Sequence, residues 1–237
     1  MDKFLAQWDA DMDDPSKDRI QLYDSIVDKQ SHHPHDVELL WRLVWASLMM
    51  ADSREKVGDK AGVKRYTEQS LNWAKEAVHY GPQSMQSHKW YCAAVGRMSA
   101  LVGTKERIQM GYEFKQHRDI AVSIEPNDRL MNHMYGRWCY ELASLSKVER
   151  KLAETFFATP PQATYDEALE SLLAADNQQH QWKANQLWLA KVYIALHKYH
   201  HAIECIDYGL GLPIISEDDA VCQAELQKLQ KSYAKYR

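Results

Sequence analysis

The sequence predicts an all-α protein built from antiparallel helix pairs. Apolar residues recur at three- and four-residue spacings along most of the 237-residue chain, and runs with a two-residue period are absent. Glycine and proline are scarce, with nine and seven residues. The prolines lie at six widely spaced places, with helix-sized segments between them: Pro15, Pro34, Pro82, Pro126, the adjacent pair Pro160 and Pro161, and Pro213. This spacing favours helices joined by short connections.

The best-defined helix pair is ANQLWLAKVYIALHKYHHAIECIDYGLGLP (184–213), which matches the tetratricopeptide repeat of about 34 residues. Leu189 and Ala190 take the tight position of the first helix, and Tyr193 takes its aromatic position. Ala202 and Gly209 are the small residues of the second helix. Because two helices approach closely only where small residues face each other, this pattern predicts a closely packed pair.

Three earlier segments repeat this pattern. The first begins with ELLWRLVWASL (38–48) and the second with SHKWYCAAVG (87–96). The third has Tyr135 and Gly136 at the tight position, and its second helix is ATYDEALESLLAAD (163–176). Four such units in order predict helix pairs stacked as a tetratricopeptide-like superhelix.

The units depart from the standard repeat in three ways. We expect insertions between paired helices at 50–62 and 101–107, and an extra helix at 144–158 inside the third unit. The chain end predicts a capping helix, with Ser216 as N-cap and Asp219 three residues later. We therefore divide the chain into an acidic N-terminal segment with a first helix (1–35), the helical repeats (36–215) and the capping helix (216–237).

Charge and cysteine usage exclude several classes of protein. The net charge is −4, but residues 1–40 carry −6 and the remainder carries +2, which is far less basic than a usual nucleic-acid binder. We expect no secretory signal and no membrane span, because the longest apolar stretch (39–51) contains Arg42 and falls short of the ~20 residues that a span needs. The four cysteines show no CxxC pairing, which predicts reduced thiols in the cytosol.

The sequence contains reactive residue types but no motif that would combine them into a reaction centre. HMYGRWCYEL (133–142) holds a histidine, an arginine and a cysteine, but we interpret Cys139 as a packing residue of a repeat helix. HHPHD (32–36) is interpreted as a loop rather than a metal site, and DADMDD (9–14) as a frayed acidic terminus. No phosphate-binding loop, HExxH or GxSxG motif occurs. We expect neither an enzyme nor a cofactor.

Four strings resemble the regulator of microtubule dynamics family: SHKWYCAAVG, GYEFKQHRDIAVSIEPND, HMYGRWCYELASLSKVERKLA and PPQATYDEAL. The resemblance runs from about Asp36 to Leu229. It implies a tetratricopeptide-like protein that associates with microtubules and spindle poles and has a role in chromosome segregation. Some members of the family carry an N-terminal membrane anchor and act at organelles, one of them with lipid-binding ability.

This chain shows no such anchor, so we expect a soluble, cytoplasmic, spindle-associated member. The expected partners are tubulin or microtubules and other spindle proteins, without nucleic acid. The alternative function is a lipid- or small-molecule-binding module of the organelle-contact type, in which the solenoid encloses an acyl chain.

The first helix of each repeat is expected to line a concave groove. Mapping that face gives a candidate partner-binding set of basic and aromatic residues: Arg42, His88, Tyr91, His133, Arg137, Tyr140 and Lys191. Helical spacing allows the members from each helix to face one direction. They form either ordinary surface or a positive strip for an acidic extended peptide such as a tubulin tail.

Two further basic clusters are candidate contacts for an acidic surface. The first lies on the extra helix: Lys147, Arg150 and Lys151. The second lies at the C-terminal end of the last predicted helix: Lys228, Lys231, Lys235 and Arg237. Because acids open that last helix, favourable pairing of charge with the helix dipole is the alternative explanation for the second cluster.

Overall fold

A computed structural model describes residues 1–156, 162–178 and 181–237. Its helices are α1 (Asp2–Asp13), α2 (Arg19–His32), α3 (Val37–Lys56), α4 (Lys60–Tyr80), α5 (Met85–Ser99), α6 (Thr104–Ile124), α7 (Arg129–Ala143), α8 (Lys147–Phe156), α9 (Tyr165–Gln178), α10 (Lys183–Ala195), α11 (Tyr199–Gly211) and α12 (Glu217–Ser232), followed by a short 3₁₀ helix (Ala234–Tyr236). Within these ranges there is no β-strand. The all-α prediction is confirmed.

The helices form two compact units, Met1–Pro126 and Asn127–Arg237. In the first unit α3 pairs with α4 and α5 with α6, while α2 packs on α3. In the second unit α7 pairs with α9 and α10 with α11, and α12 packs on both α10 and α11. These are the four predicted pairs. The predicted repeat region, 36–215, extends over parts of both units.

Side chains that accept hydrogen bonds from the first turn fix where several helices begin. Asp18, Asp36, Asp59, Ser84 and Asp128 each accept a backbone N–H in this way. Each such cap is worth about 0.5–2 kcal/mol.

The predicted start of the last helix is also confirmed. Ser216 accepts from the N–H of Asp219, and the Asp219 side chain accepts from the N–H of Ser216. This reciprocal pair is a capping box, which satisfies two backbone donors at once.

Glycines allow neighbouring helices to approach closely. A Cβ on Gly136 would lie 2.6 Å from Leu172 Cγ and 3.0 Å from the Ala168 carbonyl of α9. A Cβ on Gly209 would lie 2.9 Å from Leu226 Cδ1 of α12. A larger residue at either position would force the helices apart.

The expected insertions are wrong, because most of their residues extend helices. α3 continues to Lys56 and α4 begins at Lys60, so only three residues connect them, with Gly58 at φ +72°. Likewise α6 begins at Thr104, inside the second expected insertion. The segment MADSREK contains mostly good helix formers, which explains why the helix continues through it.

The predicted first helix of the N-terminal segment includes residues 9–13, contrary to the prediction that the segment 9–14 is frayed. Leu5, Trp8 and Met12 of α1 are 6%, 2% and 4% exposed and pack against residues of α2 and α3. Their spacing of three and four residues places them on one face. The extra helix predicted at 144–158 is α8; residues 157 and 158 lie outside the described ranges.

Candidate functional site

Three of the expected groove residues come together in the second unit, around Trp188. Arg137 and Tyr140 are three residues apart on α7, and Trp188 and Lys191 are three apart on α10. The Arg137 guanidinium lies 4.7 Å and the Lys191 ammonium 4.5 Å from the Trp188 ring centroid. The Tyr140 ring meets Trp188 edge-on at 5.6 Å. We call these four residues the Trp188 site.

The Trp188 site holds positive charge on a half-buried aromatic surface. Arg137 is exposed, whereas the Lys191 side chain is 23% exposed. A cation within about 6 Å of an aromatic face is attracted by the ring, so Trp188 helps to hold both side chains in place. The site can therefore offer a planar guanidinium, an ammonium and apolar ring surface to one ligand.

Acids on α12 lie near these cations. Lys191 Nζ is 2.7 Å from Glu225 Oε2, and this hydrogen bond lowers the pKa of Glu225. Burial raises the pKa of Asp218, and the charge of Arg137 opposes that rise. An acidic ligand at the Trp188 site would thus compete with carboxylates that the chain itself supplies.

Trp188 was missed by sequence reasoning, which named Lys191 as the candidate binding residue of α10. Its position three residues before Lys191 is the signal that could have found it, because residues three apart share a helix face. The repeat pattern instead favoured a core position for Trp188, since an aromatic residue in a repeat helix usually fills the core.

His133 does not line an open groove, although it was expected to. It is 2% exposed, and its Nδ1–H donates to Asn185 Oδ1 at 2.9 Å. Trp182 covers it with a centroid separation of 4.2 Å. Burial, with the nearby Arg137 charge, lowers the pKa of His133 to about 3. This neutral side chain joins α7 to α10 inside the unit.

The groove residues of α5 are likewise enclosed by α6. His88 is 2% exposed, and its Nδ1 lies 2.7 Å from His117 Nδ1. Tyr91 is 7% exposed, stacks on His117 at 3.8 Å and donates its hydroxyl to Glu113 at 3.0 Å. Their burial means that a partner cannot reach them as the groove expectation requires.

Arg42 is also covered, because α1 lies over it. It is 7% exposed and donates from Nε and Nη2 to the two carboxylate oxygens of Asp9, both at 2.7 Å. Its third nitrogen bonds Glu38. The expectation of an accessible cation is wrong here, because Asp9 lies in the segment that was predicted to be frayed and instead binds Arg42 from α1.

The two basic clusters are exposed, and some of their residues also make contacts within the chain. Lys147, Arg150 and Lys151 lie on the surface of α8, where Arg150 also donates to carbonyls at the end of α7, including Ala143 O at 3.0 Å. Near the chain end, the basic residues Lys228, Lys231, Lys235 and Arg237 are exposed.

The end of the chain is packed as well as charged. Arg237 pairs with Asp207 of α11, and Tyr236 stacks on Tyr199 at 4.0 Å. These contacts give the segment a packing role beside any contact with a partner.

The cysteines occupy packing positions. Cys92 and Cys139 are fully buried, and no disulfide joins any of the four cysteines. Burial raises the pKa of Cys205 and of Cys222 to about 12, so neither thiol is activated as a nucleophile at neutral pH. The interpretation of Cys139 as a packing residue is confirmed.

Two kinds of feature are absent from residues 1–156, 162–178 and 181–237. There, no group of three or more His, Cys, Asp and Glu side chains is arranged to hold a metal ion. In the same ranges, no helix combines the length and apolarity required to cross a bilayer.

Comparison with solved structures supports the fold. A thermophilic tetratricopeptide repeat protein of Thermus thermophilus superimposes with a TM-score of 0.59 at 15% identity, over 89% of this chain and 91% of that one. This similarity extends over both units and agrees with the repeat pattern.

Sequence comparison identifies the family. Regulator of microtubule dynamics protein 3 of Rattus norvegicus is 34% identical over 81% of this chain and 41% of its own length. Protein 1 of Bos taurus is 31% identical over 86% of this chain and 64% of its own. The chain thus spans less than two thirds of these relatives. The family model described as regulator of microtubule dynamics protein 1-3 matches residues 4–234, and the chain belongs to this family.

Proposed function

We propose that this chain is a microtubule-associated helical scaffold that binds an acidic tubulin tail at the Trp188 site. The observation that carries the proposal is the pair of cations over one tryptophan, Arg137 at 4.7 Å and Lys191 at 4.5 Å. The family name supports the choice of microtubules as partner. The mechanism is non-covalent recognition without catalysis.

The site chemistry suits an extended acidic peptide. The Arg137 guanidinium offers paired N–H donors that match a carboxylate, and charge-assisted hydrogen bonds of this kind are stronger than neutral ones. Trp188 and Tyr140 supply apolar surface for the peptide between its charges. Arg137 is the more accessible cation, because Lys191 is already bound to Glu225.

The exposed basic clusters extend this proposal to the microtubule surface. Lys147 and Lys151 on α8, and Lys228, Lys231 and Lys235 at the chain end, are positioned for weaker, screened contacts. In this account the scaffold acts in the cytoplasm, at the spindle and its poles, during chromosome segregation. The comparisons support the coarser role, regulation of microtubule dynamics.

A labelled tubulin tail peptide tests the site. Changing Arg137→Glu together with Lys191→Gln should lower its affinity at least about tenfold, because the charge-assisted hydrogen bonds are lost. Fluorescence anisotropy measures the affinity, and wild-type binding should weaken with added salt. Lys191→Gln avoids placing a new acid beside Glu225.

The matched control is Lys64→Glu with Lys75→Gln, which makes the same charge change at exposed positions on α4. This control should bind the peptide as wild type does, and all three chains should give the same circular dichroism spectrum. Equal affinity of the site variant and wild type would exclude the Trp188 site and direct attention to α8.

A further inference from the structure

A groove between α2 and α3 holds α1 in the first unit. Its apolar floor is Ile26 of α2 together with Leu39, Leu43 and Ala46 of α3, all of which are 2% exposed or less. Arg42 stands among the α3 residues. We call this the α2–α3 groove.

α1 contacts the groove through one face. Leu5, Trp8 and Met12 are buried in it, and the Trp8 indole N–H donates to the Leu22 carbonyl of α2 at 3.0 Å. The Trp8 ring also meets Trp45 of α3 edge-on at 5.6 Å. Apolar anchors at these spacings are the pattern by which an amphipathic helix binds in a groove of another protein.

Charge complementarity accompanies the apolar contact. α1 contains four aspartates and one lysine. On the groove side, Arg42 binds both oxygens of Asp9, and the Lys29 ammonium lies 5.4 Å from the Phe4 ring centroid. A bidentate pair fixes the position of a ligand along the groove as well as attracting it.

Contacts within α3 hold the Arg42 side chain in place independently of α1. Arg42 Nη1 donates to the carbonyl and to the carboxylate of Glu38, at 2.8 and 2.9 Å, and the guanidinium lies 4.0 Å from the Trp41 ring centroid. These contacts lie within α3, so they persist when Asp9 is replaced by another carboxylate. The groove is therefore pre-organised for an acid at this point.

We infer that the α2–α3 groove is a docking site for an acidic amphipathic helix of a partner protein. The pattern it fits is apolar–x–x–Trp–Asp–x–x–apolar, as in Leu5 to Met12. In the free chain α1 fills the groove, since residues 14–18 tether it at a high effective concentration. A partner helix binds by displacing α1.

A peptide copy of α1 tests the inference on the full-length chain. The probe is fluorescein-labelled MDKFLAQWDADMDD, and anisotropy measures its binding. Asp9→Ala weakens the tethered helix at a partly exposed position, so the variant should bind the probe at least about tenfold more tightly than wild type. Gln7→Ala, at an exposed position of α1, is the matched control and should behave as wild type.

Charge reversal distinguishes specific docking from adhesion to exposed apolar surface. A chain carrying Asp9→Ala and Arg42→Glu should lose affinity for the probe. It should gain affinity for a second probe in which Lys replaces the aspartate that corresponds to Asp9. Retained circular dichroism shows that each chain is folded. No binding to the folded Asp9→Ala chain would overturn the inference, as would equal binding of both probes to the charge-reversed chain.

Discussion

At the scale of single residues, we expect two histidines with lowered pKa values, His133 and His117, to make the fold sensitive to acid. Burial lowers the pKa of His133 to about 3 and that of His117 to about 4, from an ordinary value of 6.5. Because the folded pKa lies below the unfolded one, the unfolded chain takes up protons first as pH falls. The stabilising effect is complete above pH 6.5 and is lost progressively toward pH 3 to 4.

His133 can be examined separately by urea unfolding at pH 7 and pH 5. Its protonation in the unfolded chain should remove about 2 kcal/mol of stability over this range. His133→Gln keeps a hydrogen-bond donor near Asn185 and does not titrate. The variant should lose correspondingly less stability than wild type on acidification, and an identical loss in both proteins would contradict the assigned burial.

At the scale of helices, the sequence predicted the pairs better than their surroundings. Small residues such as Gly136 and Gly209 showed where helices meet, because a Cβ there has no room. A three-and-four spacing shows that a helix has an apolar face but does not identify what covers it. The burial of Arg42 by α1 and of His88 by α6 depends on distant segments, so neither followed from local pattern.

The buried side chain of Lys183 joins α10 to α11 and α12, and no local sequence pattern predicted this contact. It is 2% exposed, and its ammonium donates to the carbonyls of Gly209 and Leu212 at the end of α11 and to Gln223 of α12. One side chain of α10 thus satisfies groups on both neighbouring helices. Backbone carbonyls at a helix end need such partners when they are removed from water.

Lys183→Met should lower the free energy of unfolding by roughly 1–3 kcal/mol, because buried acceptors lose their donor. Urea denaturation at pH 7 measures this loss. Lys228→Met, at an exposed position of α12, is the control and should change stability by less than about 0.5 kcal/mol. If the two variants unfold at the same urea concentration, the Lys183 junction does not stabilise the fold.

At the scale of the whole molecule, acids from the outer helices bind cations of the repeat helices. Asp9 of α1 binds Arg42 in the first unit, and Glu225 of α12 binds Lys191 in the second. The sequence shows that residues 1–40 carry a net charge of −6, but it does not show which cations these acids bind. The chain therefore presents less positive charge than its repeat helices contain, which leaves exposed Arg137 as the principal cation of the Trp188 site.

Co-sedimentation of the purified chain with polymerised tubulin tests the central claim most directly. Two preparations are compared at low salt, one with intact acidic tails and one with the tails removed by proteolysis. We expect the chain to pellet with intact microtubules and largely to stay in solution with tailless ones, because the proposed carboxylate ligands of Arg137 and Lys191 are gone. Equal pelleting with both preparations, or no pelleting with either, would contradict it.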